Sequence, residues 1–112
     1  MRYILRPFTV FAALCLACPP VSAADPELGR QIAKKCSVCH GKLGIAQDPE
    51  MPNLAGQSAF YIEKSLKDFQ SGAREDRRMT LMAEPLSDDD IRNVAAWYAS
   101  LVVTVTPPPD QQ

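Results

Sequence analysis

Apolar side chains recur at helical spacing in three stretches of the chain. In "SAFYIEKSLKDFQSG", Ala59, Ile62, Leu66 and Phe69 share one face, while Glu63, Lys64, Lys67 and Asp68 share the other. Ser58 is placed to cap this helix and Gly72 to end it. Further on, Ile91, Val94, Ala95, Tyr98 and Val102 repeat with the same period, with Trp97 on the neighbouring face. Ser87 followed by Asp88, Asp89 and Asp90 supplies a hydroxyl cap and an acidic first turn for that helix. The earliest stretch, "DPELGRQIAKKC", has Asp25 as N-cap, Pro26 at the first helical position and Glu27 in the first turn. Leu28, Ile32 and Cys36 form its stripe, with Gly29 and Ala33 beside it. No stretch shows the two-residue alternation of a strand. The pattern predicts an all-α fold of three helices separated by two irregular stretches, 41–57 and 73–86. Loops of that length in a small domain usually serve a site or wrap a ligand.

The termini belong to neither the helices nor the core. Arg2 and Arg6 precede the apolar run "FTVFAALCLAC", and small residues follow around Ala23 and Ala24. This is the three-part pattern of a secretory signal peptide, over 1–23, with cleavage after 23 or 24. The run is too short to cross a membrane comfortably. Cys18 in "LAC" faintly resembles a lipoprotein site, but Cys15 and the prolines that follow it argue against a lipid anchor. The expected domain runs over 25–103. At the other end, 104–112 reads as an extended, mobile, Pro-rich tail, since three consecutive prolines do not continue a helix.

Cleavage alters the charge and the cysteine count. Of four cysteines only Cys36 and Cys39 remain, and loss of Arg2 and Arg6 takes the formal charge from −1 to −3 (ten basic against 13 acidic). A mildly acidic surface excludes a nucleic-acid binder as the leading reading. A domain this small often depends on a disulfide, metal or cofactor. A bridge between Cys36 and Cys39 would close almost no loop and stabilise little.

Those two cysteines lie in "CSVCH", residues 36–40. Structural zinc needs four ligands, and the mature chain offers two cysteines and one histidine with no second pair. A thioredoxin-like dithiol belongs at a helix start after a strand and leaves His40 unexplained. C-x-x-C-H is also the attachment signature of c-type haem. In that chemistry the two thiols add across vinyl groups to form thioethers, and the following histidine sits under the iron. Export and an all-α pattern agree with this third reading.

On these residues the chain resembles small class I c-type cytochromes, of the mono-haem bacterial kind related to the halves of di-haem electron-transfer cytochromes. The resemblance covers Glu27 to Leu101. It includes "PNLAGQ", with Pro52 twelve positions after His40, and "MTLMAEPLSDDDIRNVAAWYASL", which resembles the family's methionine loop and closing helix. It implies a cytochrome c fold: N- and C-terminal helices crossing, with loops wrapped around one covalent haem c. It also implies thioethers at Cys36 and Cys39 and iron held by His40. Because His40 is the one histidine, the second axial ligand is expected to be a thioether sulfur. Aligned on "LSDDD", the family ligand falls at Met79, with Met82 as the alternative; Met51 lies beside Pro52 on the histidine side. The resemblance further implies that the Pro52 carbonyl accepts a hydrogen bond from His40 and that Leu54 and Ile62 face the haem. Gly29 and Trp97 form the helix-crossing pair. Tyr61 and Arg77 or Arg78 are candidates for the propionates, with ordinary solvated side chains as the competing reading.

The function implied is a periplasmic carrier of single electrons, not an enzyme. Its expected partners are redox proteins (a reductase, dehydrogenase or terminal oxidase), met as a monomer or within a complex, without nucleic acid or membrane anchor. A haem sensor or catalytic subunit with an open iron position is the competing reading.

Overall fold

A computed structural model describes residues 23–111. The expected signal peptide lies outside the described residues except for Ala23, as do Cys15 and Cys18. Five helices follow in order: α1 Pro26–Ile32, α2 Ser37–His40, α3 Ala59–Ser71, α4 Arg77–Ala83 and α5 Asp88–Ser100. No strand occurs among the described residues, as the periodicity predicts.

Helix α3 forms as its sequence pattern requires. The Ser58 hydroxyl accepts from the Tyr61 N–H, and Gly72 ends the helix in the left-handed conformation. Ile62, Leu66 and Phe69 are its buried face. Helix α5 begins with a full capping box: Ser87 Oγ accepts from Asp90 N–H, and the Asp90 carboxylate accepts from Ser87 N–H. Ile91, Val94, Ala95 and Tyr98 face inward, joining α3, Ala33, Ala83 and Leu86 in one buried cluster. Val102 departs from expectation. The chain turns extended at Leu101, so Val102 leaves the stripe and is 93% exposed. In the tail, a short 3-10 turn at Pro109–Gln111 follows irregular, exposed chain where a wholly extended segment was expected.

Helix α1 packs against α5, and α3 against both α5 and α4. The α1–α5 contact is made backbone to backbone at Gly29. A Cβ added there would lie 1.9 Å from the Asn93 carbonyl oxygen and 3.0 Å from Trp97 Cβ. The expected Gly29–Trp97 crossing is therefore present, and Asn93 is its closer half. The Asn93 side chain also accepts from the Asp25 N–H at 2.7 Å.

This close approach corrects the stripe expected on α1. Gly29 and Ala33 are the buried positions, Ile32 and Cys36 of the expected stripe pack half-buried against the core cluster, and Leu28 departs from it at 48% exposed. The helix also stops early. Lys34, Lys35 and Cys36 bond to carbonyls three residues back, tightening the chain after Ile32. Cys36 thus becomes the N-cap of α2 and is not the end of α1.

The second correction is α4. Residues 73–86 contain a helix where an irregular stretch was expected; together with the separate short α2, this makes five α-helices among the described residues and not three. Asp76 makes it possible. Its carboxylate accepts from the N–H groups of Arg78 and Met79, pairing two donors that a helix start leaves free.

Gly29→Ala is expected to destabilise the protein by about 1–3 kcal/mol or more, read as a lower denaturant midpoint. The gain of about 1 kcal/mol in helix propensity does not offset collision with a backbone oxygen. The Asp90 carboxyl is held below its ordinary range by hydrogen bonds from Ser87. Its contribution is accordingly complete above the ordinary carboxylate pKa and lost as pH falls through the depressed folded value. The stability difference between wild type and Asp90→Asn, followed by denaturation against pH, should shrink toward zero at the acid end.

Candidate functional site

The CSVCH segment is placed by the turn after Ile32 and continues as α2, with Gly41 N–H bonding back to Ser37. His40 lies at the end of α2 and is 5% exposed; among the described residues it is the buried polar side chain of the core. Its Nδ1 is 2.8 Å from the carbonyl oxygen of Pro52. A carbonyl only accepts, so Nδ1 carries the proton and donates. With that proton on Nδ1, the neutral imidazole has its lone pair on Nε2. The ring is thereby fixed in one tautomer and one orientation, as second-layer contacts do for metal-binding histidines.

Pro52 is held by the folding of the long loop onto itself. Gly44 carbonyl accepts from Leu54 N–H at 2.7 Å and from Ala55 N–H at 3.0 Å, and Asn53 Oδ1 accepts from Ala46 N–H at 2.7 Å. The loop is then fastened to α5, where Tyr98 carbonyl accepts from Gly56 N–H at 2.9 Å. Gly44 has a φ of +75° and lies so close to the Tyr98 ring that a Cβ would stand 2.9 Å from it. A 17-residue loop (41–57) therefore has a definite path.

Cys36 and Cys39 are both free thiols. Cys36 is half-buried against the core cluster and Cys39 is exposed. Burial pushes the Cys36 thiol pKa up, against smaller opposing effects from Lys35 and a hydrogen bond with Tyr98. Burial likewise raises the Tyr98 hydroxyl, which is the partner of that bond. The two cysteines differ in exposure, with the imidazole buried immediately behind.

Leu54 and Met79 are also half-buried against the core cluster, and Ile62 belongs to it. Met79 sits in the first turn of α4, and Met82 lies three residues on in the same helix, half-buried. Met51 is half-buried in the loop beside Pro52. Tyr61, Arg77 and Arg78 are exposed, and Arg78 lies 3.9 Å from the Asp76 carboxylate. The donors fit a c-type haem chemically: two thiols for thioethers, one nitrogen lone pair oriented by a hydrogen bond, and neutral sulfur on another element.

Sequence reasoning missed three supporting residues. Asn53 and Asn93 each accept from a backbone N–H, seven and 68 residues away, and neither contact belongs to a capping or turn pattern that could have singled them out. Asp76 had a local signal, an Asp directly before a run of helix-forming residues. The surrounding charges and Pro85 obscured it.

Comparison with known proteins agrees with this chemistry. The cytochrome c family profile matches residues 26–101. The chain is 43% identical over 81 residues to cytochrome c-554(548) of Halomonas halodenitrificans, covering 70% of this chain and 98% of that protein. It is 37% identical over 84 residues to cytochrome c4 of Pseudomonas aeruginosa, covering 75% of this chain but 42% of that one. The crystal structure of reduced recombinant cytochrome c4 from Pseudomonas stutzeri superposes with a TM-score of 0.69 at 36% identity, over 74% of this chain and 48% of the other. The chain thus spans nearly all of one relative and about half the length of the cytochromes c4. It belongs to the cytochrome c family, as a small class I c-type cytochrome: a haem electron carrier whose iron is held in covalently bound haem c.

Proposed function

We propose that this protein is exported and carries single electrons in the periplasm, with iron ligated by His40 Nε2 and the Met79 sulfur. Cys36 and Cys39 hold the haem by thioethers. The observation that carries this reading is the 2.8 Å contact between His40 Nδ1 and the Pro52 carbonyl. It leaves Nε2 as the donor atom and fixes the orientation of the ring. Met79 is favoured over Met82 because it packs against the core cluster that also meets Cys36 and Leu54.

When bound, the haem supplies a one-electron Fe(III)/Fe(II) couple. The chain's residues hold and tune it. Neutral thioether sulfur favours Fe(II) and raises the reduction potential. His40 is fixed by its hydrogen bond and Met79 by its helix, so neither ligand has to move when the charge on iron changes. Leu54 and Ile62 contribute an apolar wall that keeps water away. Val38 and Cys39, both exposed, form the surface nearest the thioethers where a partner can approach. A partner of the reductase, dehydrogenase or terminal oxidase kind would dock briefly there, through a small interface. Export rests on the signal pattern over 1–23. No helix among the described residues is long and apolar enough to cross a membrane.

The test is the visible spectrum of protein matured with the c-haem attachment machinery, oxidised and reduced. Wild type is expected to be red and low-spin, with little affinity for carbon monoxide. Met79→Ala should lose the weak sulfur-to-iron band and bind carbon monoxide, whereas Met82→Ala should keep the wild-type spectrum. High-spin wild-type protein that takes up carbon monoxide would instead mean an open iron position, as in a sensor or catalyst.

A further inference from the structure

Helix α4, which bears Met79, has seven residues, too few to be stable from its own hydrogen bonds. Its N-terminus is closed locally by Asp76, whose carboxylate accepts from the Met79 N–H at 3.0 Å. Its far end is closed from elsewhere. The Gln70 side-chain nitrogen, on α3, lies 2.9 Å from the Ala83 carbonyl and 2.8 Å from the Leu86 carbonyl. Ala83 is the last residue of α4, and Leu86 stands just before Ser87, the cap of α5. Both neighbouring oxygens are acceptors, so they require an amide NH2 with its two hydrogens. Gln70 is thus a strut from α3 to the linker joining the methionine helix to α5. Ala83 and Leu86 are both buried, with exposures of 0% and 7%.

We infer that Gln70 is a positioning residue for the proposed methionine ligand: by holding the C-terminal end of α4 against α3, it sets where the Met79 sulfur stands. This rests on Met79 being the ligand, as proposed above. Gln70 would not itself be a ligand. It acts through the helix. The Asp76 cap fixes the start of α4, and burial of Ala83 and Leu86 in the core cluster holds its far end by packing. Gln70 adds direction to that packing, because its two bonds hold one residue of the helix and one beyond it. The Ala83 oxygen also accepts from Leu86 N–H at 3.0 Å, so the strut grips a turn that is already closed.

The experiment uses mature haem-loaded protein in four forms: wild type, Met79→Ala, Gln70→Met and Gln70→Lys. Methionine at 70 keeps an unbranched side chain without donors, and lysine restores donors. Three quantities are read under native conditions: the sulfur-to-iron band, carbon monoxide binding to the reduced form, and the global denaturant midpoint. Gln70→Met is expected to raise the fraction of protein with sulfur off iron by about tenfold, the effect of losing two modest hydrogen bonds. Carbon monoxide affinity should rise in parallel, and Gln70→Lys should return both toward wild type. If Gln70→Met lowers only the global midpoint, with band and carbon monoxide binding as in wild type, Gln70 is an ordinary structural residue and the inference is overturned. If Met79→Ala itself matches wild type in band and carbon monoxide binding, the ligand assignment fails, a result distinct from failure of the strut.

Discussion

The crossing of α1 and α5 at Gly29 is the contact on which the other elements depend. Because Gly29 has no side chain, the backbone of α1 rests against the Asn93 carbonyl, and Asn93 in turn takes the Asp25 N–H. This joins the start of the domain to its last helix across 68 residues of sequence. The CSVCH segment follows α1 after one tight turn, so wherever α1 lies, the two thiols and His40 are carried with it. The same α5 presents Tyr98, whose ring lies against Gly44 and whose carbonyl takes Gly56 N–H. One helix thus serves both the segment that provides the imidazole and the loop that orients it.

A small chain has little apolar area to bury, and the buried cluster here draws mainly on α3 and α5. The site is built from elements that have almost no independent stability: a helix of four residues, a loop of 17 and a helix of seven. Each is held by specific hydrogen bonds more than by area. The loop closes on the Gly44 carbonyl, α4 begins on Asp76 and ends against Gln70, and the imidazole hangs from Pro52. Such bonds are individually modest, about 1 kcal/mol each, but they are directional. Direction is what ligands to a metal require, since their donor atoms have to keep one position in two oxidation states. Surface ion pairs such as Lys67–Asp88 and Arg30–Glu27 join exposed groups and add little to this.

Met79 illustrates how the two levels divide. The spacing to "LSDDD" assigns it a position by family resemblance, but the element that carries it was not legible. Residues 73–86 hold Arg74, Glu75, Asp76, Arg77 and Arg78 before a few apolar residues and Pro85, which reads as irregular chain. The helix forms because Asp76 caps it and because Ala83 is wholly buried against its neighbours. Leu28 illustrates the reverse error. Its spacing matched Ile32 and Cys36, yet close approach at Gly29 turned the small residues inward and left Leu28 at the surface.

By itself, the sequence determined the local and covalent features: the C-x-x-C-H chemistry, the caps at Ser58 and Ser87, the glycine stop at 72, and the buried faces of α3 and α5. These follow from interactions within a few residues, or from a period that any helix imposes on its side chains. Tertiary structure decided which face of α1 is buried, that α4 is a helix at all, and which distant atoms hold the loop and both ends of the site. Asn93 meeting Asp25, Gln70 meeting Ala83 and Leu86, and Tyr98 meeting Gly44 each join partners far apart along the chain. The amides of Asn93 and Gln70 follow no period, and the period that places Tyr98 on the buried face does not say which distant residue it meets. Their role exists only once the backbone has brought an unpaired donor or acceptor within about 3 Å.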